Sequence, residues 1–85
     1  AVFAQGDGFI QRKRDIIYSI MLELYHWLDD EEVSMSAAAS HLKNTLGEDY
    51  YREKLREARL NHLSEAIDIT PELKLTRGGY YVTRD

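Results

Sequence analysis

The chain ends in Leu73-Lys74-Leu75-Thr76-Arg77-Gly78-Gly79-Tyr80-Tyr81-Val82-Thr83-Arg84-Asp85, two short alternating runs around a glycine pair. Nearly everything from Phe9 to Ile67 has helical periodicity instead. A lone two-stranded hairpin is marginal in water. It therefore has to lean on the helices, on a further strand, or on a partner, and this requirement narrows the fold more than any other feature.

Helical spacing is clearest from Phe9 or Gln11 to Leu28, where Ile16, Ile17, Ile20, Leu24, Trp27 and Leu28 recur at i, i+3/i+4 and i+7. Tyr18, Met21, Leu22 and Tyr25 widen the stripe, the pattern of a central core helix. Asp29-Asp30-Glu31-Glu32 ends it, because adjacent carboxylates are unfavourable at a helix C-terminus. Val33-Ser34-Met35 has room for little more than a β-bridge. Ser34 or Ser36 then caps a second helix running to about Leu46, with Gly47 at the usual stop position. A third helix is expected from Glu48-Asp49 to about Ile67. Its apolar rows, Tyr51/Leu55/Ala58 and Leu60/Leu63/Ile67, are rotated from one another. Either it kinks near Arg59, or Arg52 and Arg59 lay their stems over the core with their heads in water. Pro71 ends the helical region. Leu73/Leu75 and Tyr80/Val82 then alternate on either side of the Arg77-Gly78-Gly79 turn.

The length allows one small domain, read as a flexible lead-in over residues 1–8 and a folded unit over 9–85. The absence of cysteine removes disulfides, zinc–thiolate sites and cysteine nucleophiles. It fits the intracellular location expected here, cytoplasmic or nuclear. The apolar-rich run Ile16–Leu28 is too short and too polar to cross a bilayer, so no membrane role is expected. The opening AVFAQGDGF has neither the basic region nor the apolar stretch of a signal peptide, and the missing initiator Met points to processing or to a larger parent chain.

The order helix, short strand, helix, turn, long helix, strand, turn, strand resembles a winged helix-turn-helix domain across Phe9 to Arg84. The resemblance implies an α+β fold of three helices with a C-terminal β-hairpin wing, to which the Val33–Met35 strand adds a third strand. It also implies nucleic-acid binding, DNA first, as part of a larger regulatory or replication protein. Leu46-Gly47, the Leu60-to-Ile67 row and the terminal GGYYV are also similar to LOTUS domains, small winged folds of RNA-regulating proteins. The net charge of −4 departs from the basic character of many DNA-reading members. Its distribution is uneven. Residues 1–51 carry four Lys/Arg against nine Asp/Glu, and residues 52–84 carry seven against five.

The winged-helix resemblance implies that the third helix enters the groove while the wing follows the backbone. Arg52, Lys54, Arg56 and Arg59 would supply donors to phosphates or guanine edges, with hydrogen bonds added by Tyr50 and Asn61. Lys74 and Arg77 would flank the flat Gly78-Gly79 tip. Arg12-Lys13-Arg14 forms a further basic cluster, read as a solvated helix start. The competing reading of the third helix is a solvated face, since Arg52-Glu53-Lys54 and Arg56-Glu57 interleave opposite charges. Asp29, Asp30, Glu31 and Glu32 lack the spacing and glycine of a calcium loop. They are read as a solvent-facing turn, with docking of a basic protein as the alternative. A winged helix serving protein–protein interaction, through this acidic turn or through an exposed tyrosine surface, is thus the second function considered. His26, His41 and His62 fall at no ligand spacing, so no metal is expected. His62 is placed at the edge of the apolar face. No nucleophile elbow, phosphate loop or dinucleotide fingerprint is present, and neither a cofactor nor enzymatic activity is expected.

Overall fold

The computed structural model describes residues 10–85. The expected lead-in over residues 1–8, and Phe9 with it, lies outside them. Residues 10–16 form α1, and Tyr18–Leu28 forms α2. Ile17 between them has φ −94° and ψ 7°. Its amide still bonds Lys13 at 3.1 Å and its carbonyl accepts from Met21 at 2.9 Å, so the ladder bends without breaking. Ile17, Ile20, Met21, Leu24 and Leu28 are buried along one stripe, as their spacing predicts. The stripe is narrower than expected, because Tyr18 is 64% exposed and Leu22 40%. Asp29 (φ 47°) and Asp30 (φ 66°) then take left-handed conformations, and the acidic turn ends the helix.

Val33–Ser34 is β1, and Met35–Leu46 is α3. Ser34 caps α3 by accepting from the Ala37 amide at 3.2 Å. Gly47 closes it at φ 93°, a conformation that glycine reaches without penalty. Glu48–Glu57 is α4, and its first turn carries Glu48 and Asp49 against the positive end of the dipole.

The expected third helix to Ile67 is in fact two helices. α4 stops at Glu57, and α5 spans only Leu63–Asp68. Arg59 lies between them at φ 58°. The Leu60 amide bonds the Leu55 carbonyl and the Arg59 amide bonds the Arg56 carbonyl, both at 2.9 Å. These are the paired bonds of a Schellman stop, with arginine where glycine is the usual choice. Leu55 and Leu60 are both buried, which supplies the apolar contact that accompanies such a stop. Both apolar rows are buried after all, because the break rotates one relative to the other.

β2 (Leu73–Thr76) and β3 (Tyr81–Arg84) form the hairpin, joined by a 3₁₀ turn over Arg77–Gly79. The sheet order is β1-β3-β2, all antiparallel. β3 is therefore the central strand, with Val82 opposite both Val33 and Leu75. The third strand stabilises the hairpin from outside, and Val82 is fully buried. The structure is thus mixed α+β, with five helical segments and a three-stranded antiparallel sheet among the described residues. Ile17, Ile20, Leu24, Leu28, Leu42, Ile67 and Val82 are its most completely buried large side chains. Burial of each contributes about 1.5–3 kcal/mol. Because they come from the helices and the sheet alike, one core holds the hairpin to the helices.

Candidate nucleic-acid interface

The helical repeat divides α4 into three faces. Tyr51 and Leu55 point into the core. Arg52 and Arg56 share one flank, while Tyr50, Lys54 and Glu57 lie on the other. The arginine flank borders a shallow hollow of about 500 Å³ between α3, α4, the start of α5 and the hairpin turn. Lys43, Arg52, Asn61, His62, Gly79 and Tyr80 are its polar and wing-side lining. A second hollow of about 410 Å³ adjoins it at the C-terminal end of α4 and adds Arg56, Arg59 and Leu60. The two share Arg52, Leu55 and Asn61, so they form one continuous groove.

No carboxylate lines either hollow. Glu48 pairs with Arg52 at 2.7 Å, but both are exposed and one turn apart, a pairing worth only a fraction of a kcal/mol. Glu65 accepts from the Asn61 amide at 2.8 Å, which satisfies a donor ahead of α5. Arg56 and Arg59 have no carboxylate partner among the described residues. Tyr51 forms part of the groove wall, and burial pushes its phenol pKa up despite the opposing charge of Arg52. The ring is therefore neutral, with the Lys43 ammonium 5.9 Å from its centre.

The other residues singled out from the sequence sit elsewhere. Lys54 is 3.5 Å from Glu57 and 5.6 Å from the centre of the Tyr50 ring. The Tyr50 and Ser19 hydroxyls are 2.8 Å apart, so this flank ties α4 to α2. Lys74 is exposed on the outer face of β2, away from the groove. Gly79 reaches the groove, whereas Gly78 (φ 70°) does not line it and serves the turn.

Arg77 turns towards the acidic segment. Its Nε donates to Glu32 Oε1 at 2.6 Å, and its guanidinium lies 5.0 Å from the centre of the Tyr81 ring. The Thr76 hydroxyl donates to Glu32 Oε2, also at 2.6 Å. The Thr76 bond first, and Arg77 second, hold the Glu32 carboxyl below its ordinary pKa. The same contact raises the pKa of the Arg77 guanidinium. Asp30 lies 3.6 Å from Arg84, whose Nε donates to the Tyr25 carbonyl at 2.8 Å. Two of the four acidic side chains thus secure the hairpin to the end of α2.

Lys43, His62 and Tyr80 belong to the groove, although the sequence did not single them out for it. Lys43 and Tyr80 lie on elements far apart in the chain. His62 is exposed at the start of α5, next to the buried Leu63. For Tyr80 a signal existed, since alternation in the wing requires one of Tyr80 and Tyr81 to point outward.

A separate hollow of about 580 Å³, sharing no lining residue with the groove, runs along α1 and α2 to Thr70–Leu73. Arg14 is its one Lys/Arg, facing Asp15 and Glu72, and the Arg14 Nε already donates to the Ile69 carbonyl at 2.6 Å. Of the histidines, His41 stacks on Trp27 with ring centres 4.3 Å apart and bonds Glu23 at 2.9 Å, which joins α3 to α2. Among the described residues no group of three His, Cys, Asp or Glu could hold a metal, and no helix is long and apolar enough to cross a membrane. Comparison of the chain with protein-family models, with curated proteins and with solved structures finds no match.

Proposed function

We propose that this domain is a nucleic-acid-binding module of the winged-helix kind that docks through the groove beside α4. Arg52, Arg56 and Arg59 meet the phosphates, Asn61 offers a carboxamide to a base edge, and the Gly79–Tyr80 end of the wing closes the far side. The observation that carries the reading is the convergence of three arginines on one groove with no carboxylate in its lining. Arg59 strengthens it, because a bulky L-residue kept at positive φ points to a role for its side chain. DNA is the first ligand to test, and RNA, as the LOTUS similarity implies, the second. The protein-interaction reading through Asp29–Glu32 has less to work with, since Asp30 and Glu32 already face Arg84, Thr76 and Arg77.

Fluorescence anisotropy across a salt series, with mixed-sequence duplex DNA and single-stranded RNA, tests this. Phosphate contacts release counterions, so affinity should fall steeply as salt rises. Arg56→Ala should weaken binding and reduce the salt slope by about one. Lys54→Ala, on the opposite flank, should change neither. An Arg56 variant indistinguishable from wild type would remove the groove as the docking surface.

A further inference from the structure

We infer that the groove receives a single strand, with an unpaired base stacked on Tyr80, rather than a double helix. This rests on the nucleic-acid reading above and adds the physical form of the ligand. A duplex is read by an element that projects into its major groove, about 12 Å wide. Here the arginine flank of α4 faces a concave surface walled by α3, α5 and the wing, and α4 is cut off at Arg59. The hollow is shallow and runs on past the end of α4 to Arg59, a course that a flexible single strand can follow.

Tyr80 supplies the second half of the case. It is 75% exposed, more than any other large apolar or aromatic side chain among the described residues. Its backbone is nonetheless fixed from both sides. Its carbonyl accepts from the Met35 amide at 2.9 Å, and its amide donates to the Arg77 carbonyl at 3.4 Å. The result is an open aromatic face on a rigid base at the wing end of the groove, with the arginines at the α4 end. Asn61 lines both parts of the groove and His62 the part that holds Tyr80. Cations that track a backbone, combined with an aromatic platform, are what single-strand recognition needs. In a duplex the base faces are already occupied by their neighbours. The shared chemistry is a phosphodiester chain with accessible bases, which both RNA and DNA present.

The test uses the whole chain and fluorescent oligonucleotides of one mixed sequence: single-stranded RNA, single-stranded DNA, the matching duplex, and a single strand made of abasic sugar phosphates. The single strands should bind more tightly than the duplex, and comparison of RNA with DNA identifies the preferred sugar. Tyr80→Ala should lower single-strand affinity at least about fivefold, and Tyr80→Phe, which keeps the ring, should stay within about twofold of wild type. The abasic strand should bind wild type and Tyr80→Ala equally. Duplex binding as tight as single-strand binding, unmoved by Tyr80→Ala, would overturn this inference while leaving the Arg56-dependent salt slope in place. Failure to bind any of the four would remove the nucleic-acid reading itself.

Discussion

At φ 58° Arg59 holds a backbone conformation that costs an L-residue about 1–2 kcal/mol relative to the right-handed region. Glycine carries no such penalty, although it gives back about 0.4–1 kcal/mol through the greater freedom of the unfolded chain. The Arg59 side chain is exposed and makes no ion pair among the described residues, so removing it breaks no salt bridge. The stop it occupies is built from backbone bonds that glycine makes equally well. Arg59→Gly should therefore stabilise the domain by about 0.5–1 kcal/mol, a rise in Tm of roughly 2–8 °C for a domain of this size. The same substitution removes a cation from the groove, so it should lower nucleic-acid affinity and reduce the salt slope by about one. Arg59→Ala separates the two effects, because it should lose the same affinity without the gain in Tm. Thermal melts followed by circular dichroism, paired with anisotropy titrations, read both quantities on the same samples. A fall in Tm for Arg59→Gly would refute the account of the helix stop. Unchanged affinity in both variants would show that Arg59 does not meet the ligand.

The Glu32 contact predicts a pH dependence with a definite sign. A folded-state pKa below the ordinary glutamate value of 4.5 means the contact stabilises the fold above that value and is lost as pH falls through the lower, folded one. The Glu32 side chain followed by NMR should titrate below 4.5, and Thr76→Val should move its midpoint upward, because the Thr76 bond is the larger cause. A wild-type midpoint at or above 4.5 would contradict the geometry. At the other end of β1, Ser34→Ala should cost about 1 kcal/mol in chemical denaturation by leaving the Ala37 amide without its acceptor. A loss below about 0.3 kcal/mol would mean that water replaces the cap.

What was legible in the sequence was whatever depends on neighbours along the chain. The spacing of Ile17, Ile20, Leu24 and Leu28 identifies the face that the first helices bury. Ser34 and Gly47 mark the ends of the helix between them, and Gly78-Gly79 marks the wing turn, because capping and positive φ are local chemistry. The element order also called for a third strand, since two strands alone would be marginal. The break at Arg59 was harder to read. No glycine or proline announces it, and only the conflict between two apolar rows hinted that one straight helix could not bury both. Tertiary packing resolved that conflict by ending α4 in a left-handed arginine. It also decided how the charges are used, and nothing local could have shown this. Arg77 and Glu32 meet across 45 positions of sequence, and Lys43 and Tyr80 reach the groove from different elements, α3 and the end of the hairpin turn. Helical and strand periodicity assign each side chain to a face of its own element. Which faces come together depends on how the elements pack, and at this site that packing sets the charge balance.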